Sequence, residues 1–274
     1  MTVHESDVDT HSQFVHMAAE QRLPVICQKP LGPSLAVARE MAAACRRAGV
    51  PLLVHENWRW QTPLRQLKRV LDQGDIGRVF RARIQYANSF PVFDNQPFLK
   101  ELEQFLLTDM GTHILDVARF LFGEASTVYA RTHRVHTDIR SEDVATVVLG
   151  MASGATVSCE ISYATRMEHE RFPQTFVFVE GALGSVELGW DYWIRTTTES
   201  GTLARRYPPP RYAWADPAYD VVHASIVSCH ADLLAALQGV KSAETTAEDN
   251  LKTLDLVFAA YESARTRKAV ELTP

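Results

Sequence analysis

Pro24-Val25-Ile26-Cys27-Gln28-Lys29-Pro30-Leu31 is the stretch on which the reading of this chain turns. Pro24 to Cys27 has the length and apolar character of a short buried strand. Lys29 cannot carry it into a helix, because Pro30 disfavours helical geometry at the residue before it. Lys29 is therefore presented at the carboxyl end of a strand, where open α/β sheets bind their ligands. Taken alone, a lysine there is equally well a solvated surface charge. Beyond it, residues 34–48 have a helical pattern, capped by Ser34 and stopped by Gly49. Pro51-Leu52-Leu53-Val54-His55 then repeats the short apolar strand. Strand, helix, strand makes a βαβ unit with a parallel pair.

Helical patterns flank this unit at residues 11–22, with Phe14, Val15, Ala18 and Ala19 along one side, and at 62–73, with Pro63 in the first turn and Gly74 past the end. After Gly77 the period changes. Phe80, Ala82, Ile84 and Tyr86 alternate with Arg81, Arg83 and Gln85, which predicts a half-buried antiparallel strand. Alternating runs follow near 127–135, 143–150, 155–163, 175–180, 185–189 and 192–198, with turns at Ser153-Gly154 and Ser200-Gly201. Helices over about 220–238 and 246–265 close the chain, the second opened by a capping box, Thr245-x-x-Glu248. The fold class is α/β followed by α+β, with the later domain built on a large, mostly antiparallel sheet flanked by helices.

A second motif, Thr108-Asp109-Met110-Gly111-Thr112-His113, opens a helical pattern running to Gly123. Asp109 and His113 are four apart and share a helix face. A carboxylate so placed can hold or polarise an imidazole, a group that titrates near neutrality and can take a proton from a hydroxyl. An aspartate there can also be an ordinary cap.

Together, Gln28-Lys29-Pro30 and Asp109-Met110-Gly111-Thr112-His113 resemble the glucose–fructose oxidoreductase and inositol dehydrogenase family of NAD(P)-dependent sugar dehydrogenases. That family usually shows Glu-Lys-Pro after a strand and Asp-x-Gly-x-His opening a helix. Asp75-Ile76-Gly77-Arg78-Val79, Asn57-Trp58-Arg59-Trp60 and Thr245-Thr246-Ala247-Glu248-Asp249-Asn250 extend the resemblance from about His11 to Ser263. It implies a substrate-binding and oligomerisation domain over residues 58–274. Residues 1–57 would be the C-terminal remnant of a Rossmann-type, dinucleotide-binding parallel sheet. It also implies NAD or NADP as cofactor, a sugar or polyol substrate, and association into homodimers or homotetramers. Within the family, His55 to Gln61 and Phe90 to Phe98 are similar to the D-apiose dehydrogenases, which oxidise an aldose to its lactone.

The resemblance assigns Lys29, Asp109 and His113 to catalysis. His113 would remove the hydroxyl proton, Lys29 would steady the developing alkoxide and anchor the nicotinamide ribose, and Asp109 would grip a neighbouring hydroxyl or hold the imidazole. His11, Gln28, Lys29 and Pro30 would border the cofactor, Gln28 lacking the charge of the usual glutamate. Asn57, Arg59 and Trp60, after a strand end, and Arg166 and His169, after a sheet strand, are candidate substrate contacts. They can equally be a polar loop with aromatic packing and a charged connector.

No Gly-x-Gly-x-x-Gly occurs in the 274 residues, although in the resembled family that motif seats the pyrophosphate on a helix N-terminus. The expectation is that about 80–95 residues of a family member's first domain are absent, judged from the family's usual length, and that the βαβ unit is left with an uncovered edge and apolar face. A non-catalytic sugar-binding or oligomerisation remnant is therefore the rival reading. The net charge of −5 shows no nucleic-acid footprint. No apolar stretch is read as approaching the ~18–20 residues that span a bilayer, and the polar start Met1-Thr2-Val3-His4-Glu5 is not a signal peptide. Cys27, Cys45, Cys159 and Cys229 have no paired spacing, which suits reduced thiols in a cytoplasm. No metal site is expected: His133 and His136 point to opposite faces of a strand, and His223 and His230 lack a carboxylate pattern.

Overall fold

The computed structural model describes residues 2–3, 8–168 and 172–272. Its first sheet has three parallel strands in the order β1 (Thr2–Val3), β2 (Val25–Gln28), β3 (Leu52–His55). Helices α1 (Asp9–Glu20) and α2 (Leu35–Ala48) precede and join β2 and β3. Helix α2 has the expected ends: Ser34 Oγ accepts the Val37 amide at 3.2 Å, and Gly49 takes the left-handed conformation at φ 70°. Val25, Cys27, Leu52 and Val54 pack with α1 and α2 in one core.

One apolar face of this sheet and the edge of β3 are covered by the far end of the chain, while the two-residue β1 forms the other edge. The apolar residues facing away from α1 and α2, Ile26 and Leu53, lie in a second cluster with Cys229 and Leu233 of α6 (Asp220–Leu237). Helix α7 (Ala247–Thr266) adds Ala247 and Leu254 to the first cluster. The Val54 amide donates to Thr245 O at 2.8 Å, and Thr245 Oγ1 donates to Val54 O at 2.8 Å, which closes the free edge of β3. Thr245 is thus committed to the sheet. The N-cap of α7 is Thr246, which accepts from the Asp249 amide at 3.2 Å, one residue later than the expected box. Helix 217–237 (mean hydropathy 1.3) is long and apolar enough to cross a membrane by length and composition, contrary to the sequence reading. In this fold Cys229 and Leu233 of that helix are completely buried.

Helix α3 (Thr62–Gln73) leads into a nine-stranded sheet of order β11-β10-β9-β8-β4-β7-β6-β5-β12. The strands are β4 (Val79–Ala87), β5 (Ala125–His133), β6 (Val144–Met151), β7 (Thr156–Ser162), β8 (Phe176–Gly181), β9 (Gly184–Leu188), β10 (Trp193–Thr198), β11 (Gly201–Arg206) and β12 (Val270–Glu271). Strand β4 lies at the centre, antiparallel to β8 but parallel to β7. An irregularity between Val79 and Arg81 takes Phe80 off the buried row, leaving it 44% exposed. Ala82, Ile84 and Tyr86 stay buried as expected. One sheet face packs on α3, α7 and α5 (Thr112–Phe122), which follows the short α4 (Val92–Asn95), to form the main core. The opposite face carries Tyr129, Val148, Arg83, Phe178 and Glu187 in one cross-strand row. It is mixed in character.

Candidate active site

The Asp109 motif is part of one continuous helical stretch whose first turns are irregular. The chain is helical from Leu106, runs as a π-turn over Leu107–Gly111, and becomes regular α-helix in α5. Glu142 supports this start. Its Oε1 accepts the Leu107 amide at 3.2 Å and the Tyr261 hydroxyl, from α7, at 2.7 Å. A π-turn re-aims side chains relative to a regular helix and is frequent at functional sites. Here it carries Asp109, and His113 follows directly after it.

Two charged pairs result. Lys29 Nζ donates to Asp109 Oδ1 at 2.8 Å and to Asp109 O at 3.2 Å. His113 Nδ1 lies 2.6 Å from Glu56 Oε1, with the Glu56 side chain completely buried. The expectation that Asp109 holds the imidazole is therefore corrected: Asp109 turns to Lys29, and the carboxylate on His113 is Glu56. Register explains the pairing. Gln28 and His55 are Cα partners in β2 and β3, so Lys29 and Glu56 are the next residues past two adjacent strand ends. The signal for Glu56, absent from the expected site, lies in the two matched strand ends.

Glu56 Oε1 also accepts the Trp58 amide at 3.0 Å. Burial would push the Glu56 carboxyl up, but the His113 charge and hydrogen bond, the Trp58 amide and the Lys29 charge together hold it below the usual carboxylate range. The Trp58 indole stacks on the His113 ring at 4.4 Å and 22°, and its Nε1–H is anchored on Thr175 Oγ1 at 3.0 Å. Tyr163 donates to Asp109 Oδ2 at 3.4 Å; burial pushes that phenol well up, so it remains a donor. The group as a whole offers a cation on a carboxylate beside an imidazole on a second carboxylate. It can bind hydroxyls and accept a proton.

Other sequence candidates have mixed placements. His11 is buried, with Nδ1 3.1 Å from Pro30 O, which ties α1 to the loop after Lys29. Gln28 Oε1 accepts the Lys29 amide at 3.1 Å and lies 3.3 Å from His55 Nδ1, so its amide is held at the strand end. Asn57 is buried and donates to Ser225 Oγ of α6 at 2.7 Å. Arg59 does not reach toward Lys29 or His113. Its guanidinium is held by Asp116 at 2.7 and 2.5 Å and by Asp249 at 2.9 Å. Trp60 is buried against Leu53, Cys229 and Leu233, with the Arg65 guanidinium 4.3 Å from its ring. Arg166 is exposed after β7, and His169 lies outside the described residues.

A parallel α/β unit joined to a large antiparallel sheet, with lysine, aspartate and histidine brought together where the two meet, defines a two-part oxidoreductase architecture. The family model for the GFO/IDH/MocA C-terminal domain matches residues 64–187. D-apiose dehydrogenase of Paraburkholderia graminis is 44% identical over 263 residues, 96% of this chain and 70% of that protein. D-apiose dehydrogenase of Rhizobium rhizogenes is 40% identical over 97% of this chain and 77% of its own length. A crystal structure of an oxidoreductase from Agrobacterium radiobacter, in complex with NAD+, L-tartaric acid and magnesium, matches with a TM-score of 0.94 at 40% identity, covering 97% of this chain and 78% of that one. This chain belongs to the GFO/IDH/MocA family.

Proposed function

We propose that the protein is an NAD(P)-dependent oxidoreductase acting on a CH–OH group of a sugar or polyol, and that its substrate is an aldose oxidised to a lactone. The observation that carries this reading is the Lys29–Asp109 pair, 2.8 Å apart, beside the Glu56-bound His113. The names of the two D-apiose dehydrogenase relatives support the narrower substrate class.

The nicotinamide end of a dinucleotide fits the residues present. Lys29 stands at the carboxyl edge of the parallel strands, fixed by Asp109, and the Pro30 carbonyl beside it is pinned by His11. Lys29 and Gln28 would hold that end; the chain contains no glycine-rich pyrophosphate loop. When bound, the nicotinamide supplies the hydride acceptor. His113 takes the hydroxyl proton at Nε2, a nitrogen with no hydrogen bond to the described residues. Lys29 stabilises the oxygen as its charge grows, and Asp109 orients Lys29 and accepts a second sugar hydroxyl. Purified protein incubated with NAD+ or NADP+ and a panel of aldoses should reduce the nucleotide with a pentose preferred. No reduction with any sugar or polyol would overturn the reading.

The four cysteines are buried and unpaired, which supports a cytoplasmic setting. We further propose a homodimer or homotetramer joined through the open face of the nine-stranded sheet, where Tyr129 and Phe178 are each 37% exposed. Sedimentation at micromolar concentration should give a species of twice or four times the 30.7 kDa chain. A soluble monomer would count against that arrangement.

A further inference from the structure

We propose that Glu56 is a positioning residue for His113: it holds the imidazole as the Nδ1–H tautomer, leaving Nε2 as the base that meets the substrate. This rests on the dehydrogenase reading only for what the base acts upon.

Three features of the geometry carry it. First, the contact is short and secluded. His113 Nδ1 is 2.6 Å from Glu56 Oε1, with the two side chains 5% and 0% exposed. A buried carboxylate must be paired, and a neutral imidazole has one donor nitrogen. The donor is accordingly the nitrogen that faces Glu56, and the other keeps its lone pair. Second, neither partner is free to turn. The Trp58 amide donates to the same Oε1 at 3.0 Å, and the Trp58 indole lies flat on the imidazole at 4.4 Å. Third, the only other carboxylate in the motif is engaged elsewhere, because Asp109 accepts from Lys29 and Tyr163. Glu56 Oε2 is buried with no hydrogen-bond partner among the described residues. The carboxylate therefore directs its paired oxygen at His113.

In the Ser-His-Asp triad of serine proteases, replacing the analogous buried carboxylate by its amide costs about 10⁴ in kcat through the wrong tautomer. The role proposed here has the same logic on an unrelated fold. Glu56→Gln keeps the shape, so folding survives the change better than with alanine.

The test is nitrogen-15 NMR of the imidazole, made on this chain without cofactor and repeated on Glu56→Gln and Asp109→Asn. Native protein with a neutral imidazole should show His113 protonated at Nδ1 and bare at Nε2. Glu56→Gln should mix the tautomers, since it replaces the carboxylate that accepts from Nδ1 by an amide that can also donate. Asp109→Asn should leave the tautomer as it is. In active protein, Glu56→Gln should lower kcat by about 10²–10⁴ with KM for sugar little changed and the acid limb of the rate profile displaced. An unchanged tautomer in Glu56→Gln, or an equal change in Asp109→Asn, would overturn the assignment. An Nδ1–H tautomer that responds to Glu56→Gln in a protein that oxidises no sugar would sink the dehydrogenase reading and leave the Glu56 assignment standing.

Discussion

His113→Ala should lower kcat/KM for sugar oxidation by about 10²–10⁴, the usual worth of a positioned general base, with nucleotide affinity largely kept. The acid limb of the pH–rate profile should vanish with it, because that limb reports protonation of the base. Lys29→Ala should differ in kind. Its ammonium is held by Asp109 at 2.8 Å next to the imidazole, so both turnover and the apparent affinity for nucleotide should fall. Steady-state kinetics across pH, with sugar and nucleotide varied separately, distinguishes the two. Near-normal turnover with an unchanged profile in His113→Ala would remove the imidazole from proton transfer and leave Lys29 next in line.

Arg59→Met should be the most damaging single change to stability. The guanidinium is 6% exposed and forms a two-point contact with Asp116, which is completely buried. Removing one partner of a buried pair typically costs 3–5 kcal/mol because the other charge is stranded. For a chain of this size that is a fall in Tm on the order of 10 °C. The loss should depend on pH with a definite sign. Burial already pushes the Asp116 carboxyl up, against the pull of Arg59, and without Arg59 it rises further. A carboxyl raised in the folded state destabilises once the pH exceeds its unfolded value, and increasingly so up to its folded one. The deficit of the variant should therefore be largest at neutral pH and shrink toward about pH 4. Urea unfolding at both pH values checks this, and a deficit that grows in acid would refute it. Exchanging both residues, Arg59→Met with Asp116→Leu, should recover much of the loss.

The chain's elements were legible where local chemistry was strong. Ser34 and Gly49 mark α2, Pro63 and Gly74 mark α3, and the alternation of Ala82, Ile84 and Tyr86 marks β4. Strand β11 escaped notice because all six of its residues are exposed and leave no in–out pattern to read. The parallel pairing of β4 with β7 could not be read from either strand, since it depends on a partner more than seventy residues away in sequence. At the site, residue types and order pointed to Lys29, Asp109 and His113. Who pairs with whom did not follow, because helix spacing favoured Asp109 with His113 and only the strand register brings Glu56 to the imidazole. Arg59 looked like a pocket residue for the same reason. Its partners Asp116 and Asp249 come from helices distant in the chain.

Val54 makes its edge bonds to Thr245, so the strand that presents Glu56 has no finished neighbour on that side until a segment 191 residues further along has been made. During synthesis the early βαβ unit waits, its Ile26 and Leu53 side open, for α6 and the segment after it to emerge. Its folding is thus non-local and slow in the sense of high contact order. The waiting intermediate is where chaperones or aggregation would intervene. Proton-handling geometry in this protein is consequently a late product of chain elongation, although Lys29 and Glu56, which supply half of it, are made well before Asp109 and His113.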